Sequence, residues 1–351
     1  MRYSFIVPVY NRPDEVDELL QSLCTQTLKD FEVVIVEDGS QIPCKDVCDK
    51  YANILDLHYY FKENSGPGQS RNYGVERANG DYVVIVDSDA VLPPGFMQAI
   101  DTELRRQPSD AWGGPDAAHD SFTTIQKAIS YAMTSFFTTG GIRGGKKQLD
   151  KKFYPRSFNL GVRRQVYLDL GGFSTERFSK MALYGEDIDF SIRIFRGGYS
   201  CRLFPEAWLW HKRRTDFRRF WRQVYNSGYA RINLWKKYPE ALKPVHALPA
   251  LFTIGVAILL LCWLIGEGLF CYGTINMDKT TNVYQHTGLV LSTAGLMPLA
   301  LYSLFIFIDS SIRNKSVHVG LVSIPAAFIQ LIGYGVGFLE SWWTNHLMKR
   351  G

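Results

Sequence analysis

Charged residues are missing from three long runs near the end of this 351-residue chain. Residues 244–266, 288–308 and 319–339 contain no Asp, Glu, Lys or Arg. A helix needs about 20 mostly apolar residues to cross the roughly 30 Å core of a bilayer, and each run is long enough. Burial of these runs in a soluble domain would require a partner surface that no adjacent amphipathic helix provides. We therefore predict an all-α transmembrane region over residues 244–351, with three spans.

Cysteine is scarce, and the chain lacks the pattern of a signal peptide. The sequence has six cysteines, and Cys44 and Cys48 have no second pair of Cys or His at zinc-like spacing, which argues against a zinc site. Met1 leads directly into an apolar strand rather than into a basic region followed by a cleavable apolar core. We expect the N-terminal part to stay in the cytoplasm, where thiols are reduced.

Basic residues beside the apolar runs predict the orientation. Those before the first run and between the second and third runs are Lys236, Lys237, Lys243, Arg313 and Lys315. Because such residues favour the cytoplasmic side, we expect a multi-pass protein of the inner (cytoplasmic) membrane with a cytosolic N-terminal domain. Three spans would place Lys349 and Arg350 outside, against the same rule, unless Trp342 and Trp343 lie at the interface.

The net charge of +5 conceals three unlike parts. Residues 1–142 hold 11 basic and 21 acidic side chains, residues 143–243 hold 23 and 9, and residues 244–351 hold 5 and 4. With 46% hydrophobic and 14% aromatic residues, the chain is neither disordered nor of low complexity. The charge difference between these three parts indicates that each has a different role in the protein.

Strand and helix patterns alternate through the acidic part. Apolar runs at residues 3–8, 31–36, 57–61 and 82–86 are typical of buried strands, and amphipathic segments lie between them. Such alternation predicts an α/β domain with a parallel sheet and helices on both faces. Ligands bind beyond the carboxyl ends of the strands in these sheets.

Polar clusters follow three of these strands. They are Pro-Val-Tyr-Asn at 8–11, Glu-Asp-Gly-Ser at 37–40 and Asp-Ser-Asp at 87–89. Two carboxylates separated by one small residue can bind a hard divalent cation, Mg²⁺ or Mn²⁺, that also accepts phosphate oxygens. A solvated turn explains the same residues equally well when they are taken alone.

A glycine-containing turn at 63–74 leads into a predicted helix. It has neither the Gly-x-Gly-x-x-Gly pattern of dinucleotide sites nor the Gly-Lys-Ser/Thr of a P-loop. Arg71 could contact a phosphate or a ribose, and an ordinary helix start is the alternative.

In order and spacing, the motifs resemble a family 2 glycosyltransferase with the GT-A fold, a Rossmann-like mixed sheet that binds nucleotide sugars. The resemblance extends from residue 5 to about residue 211. It rests on residues 7–11, 36–40, 71–74, 87–89, 159–161, 171–173 and 185–187. The resemblance implies a nucleotide-binding set, with Asp38 at the base and Arg71 near the nucleoside. That set comprises Pro8, Tyr10, Asn11, Asp38, Arg71 and Ser88.

The resemblance also implies the remaining site residues. Asp87 and Asp89 match the metal-binding pair, and Asp187 matches the catalytic base, with Glu186 beside it in the catalytic motif. His211 matches a position where some members place a further metal or diphosphate contact. From the residues alone, Glu186 and Asp187 could equally cap a helix, and His211 could be structural.

Residues 212–243 are rich in basic and aromatic side chains. Phe217, Phe220, Trp221, Val224 and Tyr225 recur at helical spacing beside a cationic face. This pattern predicts an interfacial helical bridge on a lipid surface, between a GT-A catalytic domain at 1–211 and the membrane region. Nucleic-acid binding would give a similar pattern, but the apolar runs that follow favour the membrane.

The residues and the resemblance together predict an inverting, metal-dependent glycosyltransferase that moves one sugar from a nucleotide-diphosphate donor to a membrane-associated acceptor such as a polyprenyl-linked saccharide. The resemblance alone favours a UDP-sugar as the donor. A processive polysaccharide synthase is the first alternative. Processive members of the family carry a Gln-x-x-Arg-Trp motif after the base, and its absence here disfavours this alternative. A non-catalytic membrane scaffold with a nucleotide-binding fold is the second, and the intact acidic positions disfavour it.

Overall fold

A computed structural model describes residues 1–117, 119, 121–140, 153–176, 184–275 and 281–346. The chain forms two compact units. The first comprises Met1–Phe122 and Thr139–Arg213, and the second comprises Thr123–Thr138 and Arg214–Gly351. Residues 123–138, which we assigned to the catalytic domain, thus belong to the second unit.

The described residues contain ten strands and twelve α-helices. The strands are β1 (Tyr3–Val9), β2 (Phe31–Asp38), β3 (Asp56–Lys62), β4 (Tyr82–Val86), β5 (Ala90–Val91), β6 (Ala111–Gly113), β7 (Asp116–Ala117), β8 (Asn159–Arg163), β9 (Cys201–Leu203) and β10 (Leu209–His211). The helices are α1 (Pro13–Cys24), α2 (Lys45–Tyr51), α3 (Pro67–Arg77), α4 (Phe96–Arg106), α5 (Thr124–Thr134), α6 (Phe136–Thr139), α7 (Arg164–Asp169), α8 (Glu186–Arg196), α9 (Phe217–Lys237), α10 (Leu248–Ile275), α11 (Thr281–Asn314) and α12 (Val317–His346).

The first unit is built on a seven-stranded sheet of order β3-β2-β1-β4-β8-β6-β9. Strands β1 to β4 are parallel, as predicted, whereas β8 runs antiparallel to both β4 and β6. The sheet is therefore mixed, as the resemblance to the GT-A fold implies, rather than wholly parallel. A second sheet of order β5-β10-β7 places His211 opposite Ala90, next to the 87–89 motif.

Two apolar cores enclose the central strands of the large sheet. Phe5, Leu19 and Phe96 lie in one core, and Ile6 and Phe190 lie in the other. Strands buried on both faces read as continuous apolar runs, which is why their positions could be predicted from the sequence. Their carboxyl ends carry the polar motifs.

Three helices of the second unit, within the part of the chain that the structure describes, are long and apolar enough to cross a membrane. They cover Pro244–Ile275, Asn282–Asn314 and Val317–Asn345. The first two expose most of their apolar side chains, whereas half of the most apolar window of the third is buried.

Helices α5, α9 and α12 pack together. Phe220 and Val224 of the apolar stripe of α9 are buried with Ile129 of α5 and Ala326 of α12. Phe220 and Val224 are therefore covered by protein, whereas Trp221 of the same stripe is 38% exposed. The exposed face of α9 still carries Arg218, Arg219 and Arg222, so its predicted contact with a membrane surface stays a prediction for that face alone.

Candidate active site

Asp87, Asp89 and His211 come together beyond the ends of β4 and β10. One ligating atom from each lies within 4.8 Å of the other two. His211 Nε2 is 3.2 Å from Asp89 Oδ1 and 3.7 Å from Asp87 Oδ2, and the imidazole stacks on Phe158 with ring centroids 4.4 Å apart. The structure therefore brings together three residues, the first and last of which are 124 positions apart in the sequence.

Opposite charges hold this cluster in its ionised form. Burial would raise the pKa of Asp87, but His211 and Arg71 hold it well below its usual range. Burial likewise opposes ionisation of Asp89, yet His211 and Arg12 lower the pKa of that carboxyl. Burial lowers the pKa of His211, but Asp89 and Asp87 outweigh it and raise the pKa to about 9. The two carboxylates are thus anions, and the imidazole is a cation in the absence of a metal.

The cluster fits a divalent cation. Two carboxylates and one imidazole are ordinary ligands of such ions, and their ligating atoms already converge. The Asp87 side chain is 31% exposed, so the cluster is open to solvent on that side.

Arg71 connects the cluster to the first turn of α8. Its Nη2 lies 2.8 Å from Asp87 Oδ1, and its Nη1 lies 2.6 Å from Glu186 Oε1. The guanidinium is over Phe173, with its carbon 5.2 Å from the ring centroid. Both terminal nitrogens of Arg71 are therefore used by carboxylates, and its predicted contact with a nucleoside stays a prediction.

Asp187 occupies the first turn of α8, after Gly185 in a left-handed conformation with φ of +90°. Its Oδ1 accepts a hydrogen bond from the backbone of Ile188 at 2.9 Å, and its Oδ2 is 3.3 Å from Arg156 Nη1. A helix N-terminus and a guanidinium both stabilise negative charge. The side chain remains 17% exposed, so this carboxylate is within reach of solvent.

Asp38 organises the turn that precedes α3. Its carboxylate accepts hydrogen bonds from the backbone nitrogens of Ser65 and Gly66, both at 2.9 Å, and pairs with Lys62. Burial opposes ionisation, but these donors hold the pKa of Asp38 below its usual range. The predicted contact with a base is untested, and the contacts that the structure shows are with the turn.

The end of β1 is fixed to the loop after β2. Asn11 has a left-handed backbone with φ of +54°, and its Oδ1 accepts hydrogen bonds from the nitrogens of Gln41 and Ile42. Tyr10 beside it is 50% exposed. Pro8 is partly buried and Ser88 is buried, so of the predicted nucleotide-binding set Tyr10 presents the most open surface.

Three side chains near these residues were not predicted. Arg12 pairs with Asp89 at 2.6 Å, Arg156 pairs with Asp187, and Phe158 stacks on His211. Arg12 directly follows the 8–11 cluster, so its position at a strand end was a usable signal. Arg156 and Phe158 lie outside any recognisable motif, and their partners are more than 30 residues away.

Comparisons with known proteins relate the chain to glycosyltransferases. The sequence profile described as "Glycosyl transferase family 2" matches residues 4–171. Two proteins of Haloferax volcanii are similar over most of the chain. "Glycosyltransferase AglE" is 24% identical over 72% of this chain and 80% of its own length, and "Glucosyl-dolichyl phosphate glucuronosyltransferase" is 26% identical over 69% and 80%.

Similarity to other proteins is more local or structural. An "Uncharacterized glycosyltransferase" of Rickettsia felis is 36% identical over 39% of this chain, and the match spans only 22% of that protein. A mannosyltransferase of Pyrobaculum calidifontis, solved with GDP-Man and Mn²⁺, aligns over 93% of this chain and 86% of its own with a TM-score of 0.55 at 17% identity. At this identity the likeness shows a shared fold.

Proposed function

Because residues 4–171 of the chain form a family 2 glycosyltransferase domain with the GT-A fold, we propose that the protein transfers one sugar from a nucleotide-diphosphate donor to a hydroxyl group of a membrane-associated acceptor. One observation carries the proposal: Asp87, Asp89 and His211 converge, and Arg71 and Glu186 connect them to Asp187. A place for a leaving diphosphate and a carboxylate for an attacking hydroxyl thus belong to one network.

The donor would bind at the carboxyl ends of β1, β2 and β4. Asp87, Asp89 and His211 would hold Mg²⁺ or Mn²⁺, which when bound neutralises negative charge that develops on the diphosphate. The surrounding set of Pro8, Tyr10, Asn11, Asp38, Arg71 and Ser88 would form the nucleoside pocket. UDP-sugar is the favoured donor on family resemblance.

Asp187 would act as the general base. Its carboxylate lies between Ile188 N and Arg156 Nη1, and it keeps an exposed edge for an incoming hydroxyl. Removal of the hydroxyl proton makes the acceptor oxygen a stronger nucleophile. Attack on the anomeric carbon from the side opposite the leaving group inverts its configuration.

A lipid-linked saccharide is the proposed acceptor, and no nucleic acid is involved. The three membrane-length helices support a substrate that is itself in the bilayer. The name of the glucuronosyltransferase of H. volcanii supports a lipid-phosphate-linked sugar as the acceptor class. With basic residues beside the spans, we propose the inner membrane as the location and the cytosol for the catalytic unit.

Replacement of the proposed base tests the reaction. Asp187→Asn should lower transfer by at least about 100-fold, because it removes the proton acceptor, while donor binding stays measurable. Release of the nucleotide diphosphate from a panel of nucleotide sugars by detergent-solubilised protein measures transfer of the sugar to water, which takes the place of the acceptor hydroxyl, and calorimetry measures donor binding. Asp169→Asn makes the same change at an exposed position of α7 and should leave both unchanged.

Three outcomes would overturn parts of the proposal. Undiminished turnover by Asp187→Asn would remove that residue as the base. Wild-type protein that binds no nucleotide sugar would favour the scaffold alternative. A product extended by many sugars in a single incubation would favour the processive synthase.

A further inference from the structure

Glu186 and Arg71 form a buried connection between two parts of the proposed site. Glu186 is the first residue of α8, Arg71 lies in the first half of α3, and Asp87 follows β4. The Glu186–Arg71 contact of 2.6 Å and the Arg71–Asp87 contact of 2.8 Å therefore join three elements through one side chain.

The connection is enclosed. The side chains of Arg71 and Glu186 are 4% and 8% exposed. Glu186 Oε2 has no hydrogen-bond partner among the described residues, and a Cβ atom at Gly68 would lie 2.6 Å from it. Gly68 thus leaves room for the carboxylate but not for an acceptor sugar beside it. Glu186 consequently lacks the access that a proton acceptor for substrate needs.

The connection also sets the orientation of Asp87. Arg71 engages Oδ1 of that carboxylate, and Oδ2 faces His211. Since Glu186 takes the other terminal nitrogen, Arg71 divides its charge between two carboxylates. Without the negative charge of Glu186, the full charge of Arg71 would act on Asp87 and compete with a bound cation.

Building on the proposed function, we propose that Glu186 is a positioning residue: through Arg71 it holds Asp87 ready for the cation and fixes the start of α8, where Asp187 lies. Asp187 remains the group that contacts substrate. Arg71 still lines the proposed nucleoside pocket, but both of its terminal nitrogens contact the carboxylates of Asp87 and Glu186. Groups that orient metal ligands commonly change metal affinity by about 10- to 100-fold when they are altered.

A pair of adjacent substitutions tests this role. Glu186→Gln and Asp187→Asn each replace a carboxylate by an amide at neighbouring positions. We expect Glu186→Gln to weaken Mn²⁺ binding by about 10-fold or more and to lower kcat, because both the cation site and the base are disturbed. Asp187→Asn should lower kcat and leave the Kd for Mn²⁺ within about 2-fold. Calorimetric titration of the full-length, detergent-solubilised protein with Mn²⁺ alone measures the affinity.

The outcomes are separable. Wild-type protein that binds no Mn²⁺ would overturn the proposed metal site and, with it, this effect of Glu186. Wild-type affinity in Glu186→Gln, whatever its activity, would overturn the positioning role alone. If Glu186→Gln does not fold, Glu186→Asp keeps the charge and shortens the reach, and unchanged Mn²⁺ affinity in that variant would overturn the role as well.

Discussion

The acidic side chains of the site are each matched by a cation from elsewhere in the chain. Asp89 pairs with Arg12, Asp187 with Arg156, and Arg71 serves both Asp87 and Glu186. Among these pairs Arg71–Glu186 is buried, and breaking it leaves an uncompensated charge, which costs more than the pair contributes over apolar residues. Substitution of one of these cationic side chains should therefore first change the ionisation and position of the carboxylate that it pairs with.

His211 should make the stability of the metal-free protein depend on pH. Its pKa is about 9 in the folded protein, against about 6.5 in an unfolded chain. A raised pKa contributes stability that is complete below about pH 6.5 and is lost as the pH rises through about 9, on the order of 3 kcal/mol. Thermal midpoints in EDTA at pH 6.5 and 9 measure this loss.

The variant His211→Asn isolates that contribution. Its midpoint should fall less than that of the wild type between pH 6.5 and 9, because it has no imidazole to deprotonate. An equal decrease of the thermal midpoint in both proteins would contradict the assignment of this pH dependence to His211.

At residue level, the sequence identifies side chains whose chemistry is unusual for their place. Asp87 and Asp89 end an apolar strand, and His211 ends another, so both strand ends could be recognised. Arg156 could not be, since the pairing with Asp187 depends on how residues 153–158 approach α8, and no local pattern encodes that approach. Residues 141–152 and 177–183 lie outside the described residues.

Among the elements, β8 shows where local patterns stop being informative. Strand β4 was predicted with the observed bounds, because its five residues are apolar and buried on both faces. The antiparallel direction of β8 depends on how the chain returns after residue 113, which periodicity does not record. Parallel pairing was correct only where a helix connects successive strands.

Gly161 in β8 should not tolerate a side chain. A Cβ atom there would lie 1.9 Å from the ring of Trp112, which is fully buried. Gly161→Ala should lower the free energy of unfolding by about 3 kcal/mol, since the ring has no space to move. Gly95→Ala is the control, because nothing lies within 4 Å of its added Cβ. Comparable thermal midpoints for the two variants would contradict this packing.

The contact between α9 and α12 depends on glycine in the same way. A Cβ atom at Gly337 would lie 2.1 Å from the backbone oxygen of Tyr225, so a larger residue must separate the helices. Gly337→Leu should lower the midpoint of heat-induced aggregation in detergent. Gly268→Leu, in α10 with nothing within 4 Å, should leave it near the wild-type value, and equal losses would count against the contact.

Across the whole molecule, the division into units differs from the division by sequence. The sequence boundary at 211 follows the extent of the family resemblance and the boundary at 243 follows a change in charge, whereas the first unit ends at Arg213 and the second includes residues 123–138. Apolar residues of α5 such as Ile129 look like those of any buried helix, so the sequence does not reveal which core they join.

Removal of the three membrane-length helices should therefore affect the folded core as well as attachment to a membrane. A fragment of residues 1–243 lacks Ala326 and its neighbours, so Phe220 and Val224 lose part of their cover. We expect this fragment to aggregate without detergent, as judged by size-exclusion chromatography. The same fragment with Phe220→Ser and Val224→Ser should aggregate less, and a monodisperse parent fragment would refute the expectation.

The pairing of α5 with α12 also imposes a schedule on biosynthesis. About 180 residues separate the end of α5 from the start of α12. At roughly 5 to 20 residues per second, α5 leaves the ribosome some 10 to 40 s before its last partner is made. During that interval its apolar surface is open to chaperones and to neighbouring nascent chains, so the yield of this protein should depend on the speed of translation.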